Sequence, residues 1–293
     1  MRIIPLLICL PLLLSAQDRP LPDAATLVQE VIAHQREMES VRENYTCHQT
    51  LVVEALDSKG GIKTSTSQES EVFFVNHHQI ARLVKKDLVE LSPDGQKSEQ
   101  NRVMKMVERA TKAPEGADPR VLRISQILAV SKMSEPRRVN LDGRDTLVLE
   151  FAGDPASRVR GTSQNPLRRI IGTVWSDDAD RQVARIMNEN LGKKIAGKLW
   201  IDEADRQVAR IEVTFNENFG VAGGVLASIR KGTQVEMQQS PVGDGLWMPS
   251  VTERHVTARV LLLDNIRRHV LVKEYDFKKF DVKSLQEVKP PAD

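Results

Sequence analysis

Histidine and cysteine are the side chains in this sequence that could hold a metal or act as a nucleophile. The chain has six histidines and two cysteines, and no histidine falls in an HExxH or similar metal spacing. His77 and His78 lie in a predicted turn that faces solvent. His48 follows Cys47, but adjacent strand residues point to opposite faces of a sheet. We therefore predict no local Cys–His dyad and expect Cys47 to be a small buried residue.

The motifs of common catalytic and nucleotide-binding sites do not occur in the sequence. It has no G-x-S-x-G elbow, no Walker A loop and no G-x-G-x-x-G fingerprint. The glycines of FGVAGG, residues 219–224, are expected in a turn or bulge between strands. We predict no catalytic residue, no cofactor and no metal site, and expect that the protein is not an enzyme. Since distant residues can converge in space, a hydrolase or metal enzyme stays as the least favoured alternative.

An internal duplication is the most distinctive feature of the sequence. Residues 165–186 and 190–211 are identical at 13 of 22 aligned positions and share the unbroken string ADRQVARI. Two copies are too few for a solenoid. Alternation of apolar and polar residues on either side of an acidic turn predicts that each copy is a β-hairpin.

The turns of both predicted hairpins are rich in aspartate. Asp177 and Asp180 lie in the first turn, and Asp202 and Asp205 lie in the second. Neither turn has the glycine and the distal glutamate of an EF-hand loop. We predict structural acidic turns and keep Ca²⁺ binding as the minor alternative.

The elements that must position these residues are mostly strands. An amphipathic helix is predicted from Asp23, as the N-cap, to Glu43, with apolar residues at helical spacing. Two further helices are predicted at 98–112 and 119–132. Alternation and turn residues predict strands at 45–55, 64–75, 79–91, 137–151 and through most of 170–282. Turns are predicted at 92–95 and, within 137–151, at Asp142-Gly143, and a loop is predicted at 153–166.

The N-terminal residues 1–16 have the pattern of a secretory signal peptide. Arg2 precedes an apolar run that ends in small residues, and the run is too short to span a bilayer as a stable helix; an uncleaved anchor is the alternative. Cleavage would remove Cys9 and leave Cys47 alone, so no internal disulfide is expected. We predict an exported, periplasmic protein with a single domain over 17–293.

Composition excludes two classes of partner. Lys+Arg 42 against Asp+Glu 40 gives a net charge of +2, so no global field favours nucleic acid or anionic lipid. Aromatic residues make up only 4% of the chain, too few for a base-stacking platform. We expect no nucleic-acid partner and only transient membrane contact.

Three stretches resemble a known family. They are GKLWIDEADRQVARIEV at 197–213, GLWMPSVTERHVTARVLLLD at 245–264 and YDFKKFDV at 275–282. With the N-terminal helix and long strands, they resemble the LolA-like superfamily of outer-membrane lipoprotein-sorting proteins. The resemblance implies an α+β fold, in which a long, curved, unclosed antiparallel sheet (a half-barrel) is covered by an N-terminal helix and two central helices.

The resemblance also implies a cavity that binds a lipid or a lipoprotein acyl chain. Burial of an acyl chain contributes about 0.8 kcal/mol per CH₂, and it needs little polar chemistry. We therefore expect a carrier or binding protein for an apolar ligand. The candidate lining residues are Phe73, Val75, Ile80, Leu83, Leu88, Leu199, Ile201, Ile211, Val213 and Phe215.

The alternative is an envelope sensor or a protein-interaction module that holds no lipid. In that case a sheet edge or an exposed face would bind an envelope protein. The duplicated hairpin and its basic pairs, Arg168-Arg169 and Lys193-Lys194, would then contact the partner.

Overall fold

The computed structural model describes residues 19–113, 123–154, 194–221, 227–243, 245–260 and 264–279. The predicted signal peptide and the first copy of the duplicated hairpin lie outside these ranges. The second copy is described from Lys194 onward.

The described residues form three α-helices: α1, Ala24–Val41; α2, Pro93–Thr111; and α3, Ile124–Leu128. Helix α1 begins where the sequence predicts, because the Asp23 carboxylate accepts the amide of Thr26 at 2.9 Å and so satisfies a free amide of the first turn. A short 3-10 helix, Arg42–Asn44, follows α1. Within the part of the chain that is described, no helix has both the length and the hydropathy needed to cross a bilayer.

Fourteen strands in the described ranges form one antiparallel sheet. Its main path runs β4-β3-β2-β1-β14-β13-β12-β9-β8-β7-β5, and the end strands β4 and β5 do not pair with each other. The predicted α+β fold, an unclosed antiparallel sheet with covering helices, is confirmed. The strands are β1, Tyr45–Leu56; β2, Ile62–Val75; β3, His78–Lys86; β4, Val89–Glu90; β5, Ser131–Met133; β6, Arg137–Leu141; β7, Arg144–Gly153; β8, Ile195–Asp202; β9, Val208–Phe215; β10, Phe219–Val221; β11, Ala227–Ile229; β12, Gln234–Gly243; β13, Leu246–Val260; and β14, Asp264–Lys279.

Helix α2 begins earlier than the sequence analysis predicts. Ser92 to Gly95 was expected to be a turn, but Ser92 is the N-cap of α2 and its hydroxyl accepts the amide of Gly95 at 3.2 Å. Pro93 occupies the first helical position, where it has no amide to leave unpaired. The same serine and proline that favour a turn therefore also start a helix.

The predicted strand at 79–91 is divided by a tight turn. Asp87 and Leu88 have φ values of 50° and 66°, so the chain reverses there and separates β3 from the short strand β4. The third predicted helix, 119–132, also differs. Of its described residues, 123–132, only the five of α3 are helical, and β5 begins at Ser131.

The core lies between α1 and one face of the sheet, which we call the inner face. The apolar stripe of α1 contacts inner-face residues of β7, β8 and β9, and α3 packs beside it. The stripe consists of Leu27, Val28, Val31 and Ile32, which are at most 9% exposed. The inner face of β7, β8 and β9, which we call the apolar third of the sheet, is therefore closed by apolar side chains of the sheet and of α1.

The second copy of the duplicated segment forms the hairpin β8–β9. In its turn, Oδ1 of Asp202 accepts the amides of Ala204 and Asp205 at 3.1 and 2.8 Å. Oδ2 of Asp202 pairs with Arg144 of β7, which also pairs with Asp205. These carboxylates hold the turn and tie it to the neighbouring strand.

Gly197 in β8 allows a close approach that no other residue permits. A Cβ at this position would lie 1.8 Å from the carbonyl oxygen of Glu212 and 2.6 Å from Cζ of Phe151. Phe151 is the cross-strand partner of Gly197, so its ring covers the space that the missing side chain leaves.

We expect Gly197→Ala to lower the free energy of unfolding by about 2 kcal/mol or more, because backbone and a buried ring would both have to shift. Chemical denaturation measures the change. The control is Lys198→Thr on the exposed side of the same strand, expected to stay within about 0.5 kcal/mol of the parent. Equal effects of the two substitutions would contradict the close packing at Gly197.

Candidate functional site

A cavity of about 200 Å³ lies between the C-terminal half of α1 and the inner face of β1, β2, β12, β13 and β14. Ligand pockets for drug-sized molecules typically measure about 300–1,000 Å³, so this one suits a small group or the head of a larger ligand. Part of its wall is apolar, with side chains of Met38, Leu51, Phe74, Met237, Trp247 and Val272.

One side of the cavity is held by a charged pair between the 3-10 helix that follows α1 and strand β14. Nη2 of Arg42 lies 3.0 and 2.9 Å from the two carboxylate oxygens of Glu274. Gln49 of β1 donates to the same carboxylate at 3.0 Å. The Arg42 guanidinium also lies 5.7 Å from the centre of the Phe74 ring, so the charge is fixed by both polar and aromatic contacts.

A second set of charges closes the cavity near α3. Nη2 of Arg123 lies 3.1 Å from a carboxylate oxygen of Glu43. Glu39 accepts the hydroxyl and the amide of Ser125 at 2.6 and 3.0 Å. Burial raises the pKa of Glu39, although the Ser125 hydrogen bonds oppose the shift. Glu39 thus carries its charge less readily than a solvated glutamate.

Arg254 of β13 differs from the other two arginines of the wall, because it has no carboxylate partner among the described residues. Its Nη1 is shielded from solvent and has no hydrogen-bond partner among the described residues. Burial lowers the pKa of Arg254 to about 10, while the charge of Glu274 opposes that shift. The guanidinium is thus still a cation at neutral pH. Glu274 is already paired with Arg42, so Arg254 has no carboxylate bonded to it among the described residues.

This arrangement can bind an anion next to an apolar group. A shielded guanidinium with a free N–H favours a carboxylate or phosphate, since charge-assisted hydrogen bonds are strong away from water. The methionine, leucine, valine and aromatic side chains of the wall can contact hydrocarbon. The cavity therefore fits an amphiphile better than a purely apolar molecule.

The ten residues predicted to line an apolar cavity are distributed over three environments. Five belong to the closed core under α1: Leu199, Ile201, Ile211, Val213 and Phe215. Ile80 is buried, and Phe73, Val75 and Leu83 are half-buried, whereas Leu88 is 79% exposed at the turn after β3. None of the ten lies in the wall of the cavity described above. Their contact with a ligand stays a prediction.

The sequence analysis missed the charged residues of the cavity wall. A signal for Arg254 was present, since it follows the same strand alternation as Val256 and Ala258, which are buried. A charged residue at a position that alternation assigns to the buried face of a sheet indicates a polar site inside the protein. Glu274 and Gln49 could not be found this way, because their meeting depends on the pairing of β1 with β14.

Cys47 and His77 lie where the sequence predicts, whereas His78, also expected in the solvent-facing turn, is the half-buried first residue of β3. Cys47 is 6% exposed, and His77 lies in an exposed turn where it contacts Glu43. Burial, reinforced by the charge of Glu274, raises the pKa of the Cys47 thiol to about 12.

No protein-family model matches the sequence, and no match is found among curated proteins. Comparison with solved structures finds a putative outer membrane lipoprotein-sorting protein domain from Vibrio parahaemolyticus. The two share 8% identity with a TM-score of 0.35, over 86% of this chain and 92% of the other.

Two further solved structures are similar at the same level of identity. A DUF1329 family protein from Desulfovibrio piger has 8% identity and a TM-score of 0.37, over 90% of this chain and 100% of the other. A MucA/MucB complex from Pseudomonas aeruginosa has 8% identity and a TM-score of 0.23, over 86% of this chain and 100% of the matched chain. Similarity at this level carries no information on ligands.

We expect Cys47 to react with iodoacetamide at pH 8 about a thousandfold more slowly in the folded protein than in denaturant, because only the thiolate is nucleophilic. Peptide mass spectrometry at Cys47 measures the rate. The same chain in guanidinium chloride is the control. Equal rates in the two states would show that the thiol beside Glu274 is neither buried nor shifted.

Proposed function

We propose that the protein is an exported, periplasmic binding or carrier protein for an amphiphile with an acyl chain and an anionic head, such as a lipid or the acyl part of a lipoprotein. The anionic head would bind Arg254. The observation that carries this proposal is Arg254, a lining residue of a partly apolar cavity, whose Nη1 has no hydrogen-bond partner in the described ranges. The role is binding, and no catalytic step is proposed.

The pairing of charges in the cavity supports an anionic head. Arg42 and Arg123 each have a carboxylate partner, whereas Arg254 has none among the described residues. An unpaired buried charge lowers stability. A carboxylate or phosphate bound to Arg254 would remove that cost, and a hydrogen bond to a charged group contributes about 1.5–3 kcal/mol.

The size of the cavity supports binding of the head and the first part of the chain only. We propose that the rest of an acyl chain enters between α1 and the apolar third of the sheet. There it would contact Leu199, Ile201, Ile211, Val213 and Phe215, which α1 now covers. A chain bound in this way would replace contacts of Leu27 and Val31, so α1 would have to move outward.

We expect the exported chain to bind dodecanoic acid more tightly than dodecanol by about 10- to 100-fold, the factor that corresponds to a charge-assisted hydrogen bond. Arg254→Gln should bind both molecules with similar affinity. Displacement of a fluorescent fatty acid measures both affinities, and dodecyl phosphate tests whether phosphate replaces carboxylate.

The matched control is Arg259→Gln, the same substitution on the opposite face of β13. It should keep the preference for the acid. Because Arg254 is shielded and unpaired, Arg254→Gln should also leave the free energy of unfolding unchanged or raise it. A variant that loses the acid only because it unfolds, or one that keeps the preference for the acid, would contradict the assignment.

A second candidate function is an envelope protein-interaction module. The turn after β3 favours it: Leu88 and Val89 are 79% and 68% exposed, and β4 lies at one end of the described sheet. Apolar residues at a sheet edge are a common docking surface.

This alternative predicts that Leu88→Ser, or deletion of residues 165–189, abolishes binding of an envelope protein and leaves fatty-acid affinity intact. Co-purification from the exported fraction and the fatty-acid assay measure the two properties. Equal loss of both properties would count against a separate interaction surface.

A further inference from the structure

The outer face of the sheet, opposite to α1, carries a compact group of histidines and glutamates. Two cross-strand pairs place it: His269 of β14 lies opposite Glu54 of β1 and opposite His255 of β13. Glu253 lies two residues before His255 and therefore on the same face. We call Glu54, Glu253, His255 and His269 the outer-face cluster. Because His255 follows Arg254 and His269 precedes the buried Val270, the cluster points away from the cavity.

Three side chains of the cluster converge on one point. Nε2 of His269 and Nε2 of His255 lie 2.8 and 3.0 Å from the same oxygen, Oε1 of Glu253. One ligand atom from each of the three residues lies within 4.8 Å of the other two. In a tetrahedral site with metal–ligand bonds of about 2.1 Å, neighbouring ligand atoms are about 3.4 Å apart. Small side-chain rotations would therefore open the group enough to admit an ion.

The two imidazoles are held in a fixed relation. Their ring centres are 4.6 Å apart and their planes differ by 12°. Both residues belong to paired strands of a wide sheet. The backbone therefore fixes the positions of both ligands before any ion binds, which lowers the entropic cost of binding.

Glu54 supplies the outer partner that metal-bound histidines usually have. Its Oε2 lies 2.8 Å from Nδ1 of His269. A carboxylate that accepts the Nδ1 proton of a histidine orients the ring and leaves Nε2 for the metal. In the metal-free protein both ring nitrogens of His269 face carboxylates, and these hydrogen bonds raise the pKa of His269 although partial burial opposes the shift.

We propose that Glu253, His255 and His269 form a binding site for a divalent transition-metal ion such as Zn²⁺, with Glu54 as a positioning residue. Imidazole and carboxylate ligands suit zinc better than calcium or magnesium, which prefer oxygen alone. On binding, the ion replaces the proton on Nε2 of His269, and that proton is released to solvent. The two carboxylates balance the charge of the ion.

The proposed site is open on one side. The side chain of His255 is 52% exposed and that of Glu253 is 37% exposed. Three protein ligands leave the fourth tetrahedral position for water or for a donor from a partner molecule. The residues come from β13 and β14, with Glu54 from β1, so no motif along the sequence reveals them.

The test is titration of Zn²⁺ into the exported chain, purified without a polyhistidine tag and dialysed against a chelator. We expect one ion per chain with a Kd of about 1 µM or tighter by calorimetry. Co²⁺ should give the visible absorption of a tetrahedral site. Since the proposed ligands bind jointly, His269→Gln, His255→Gln and Glu253→Gln should each weaken binding by 100-fold or more.

Glu54→Gln should weaken Zn²⁺ binding about 10- to 100-fold and keep the stoichiometry of one, because Glu54 orients the His269 ring without binding the ion. The control is His48→Gln, which changes a histidine of β1 that lies outside the cluster and stacks on Tyr275. Circular dichroism confirms that each variant is folded. Absence of Zn²⁺ binding by the parent chain, or undiminished binding by folded His269→Gln, would show that the cluster is only a set of ion pairs.

Discussion

A sheet of this width must remove one face from water, and α1 supplies a single apolar stripe to cover it. The stripe reaches β7, β8 and β9, where every inward side chain of the hairpin β8–β9 meets an apolar neighbour. Beyond it, α1 presents Met38, Glu39 and Arg42 to β13, β14 and β1. The change from apolar to charged residues along one helix therefore divides the inner face into a closed core and a polar cavity.

The polar part of the inner face is stabilised by pairing, with one exception. The ion pair of Arg42 with Glu274 and that of Arg123 with Glu43 join the helices to each other and to the sheet. Breaking such a pair leaves a buried charge uncompensated, which costs about 3–5 kcal/mol. Arg254 resembles one half of such a pair, since no carboxylate is bonded to it in the described ranges, and the proposed anion would complete the pair.

Local sequence patterns predicted much of the fold. Asp23 marks the start of α1, and alternation locates β1, β2 and the hairpin β8–β9. The turn at Asp142 and Gly143 was also found, since its positive φ values favour these residues. One prediction failed because serine and proline favour both turns and helix starts: Ser92 and Pro93 begin α2. Another failed because Asp87 and Leu88 form a turn inside a continuous strand pattern.

The sites could not be predicted in the same way, because they depend on strand register. Glu274 and Gln49 are far apart in the sequence and meet only when β14 pairs with β1. His255 and His269 become neighbours only in the β13–β14 pair. Register depends on the whole sheet. In the local sequence, each of these four residues therefore looks like an ordinary polar residue of a strand.

The most direct test of the central claim is native mass spectrometry of the protein after purification without detergent. An anionic amphiphile at close to one molecule per chain, released by organic solvent, is the result expected if Arg254 and the cavity form a ligand site. A ligand-free mass, together with no uptake of added fatty acid, would contradict it and show that the cavity has no amphiphile-binding role.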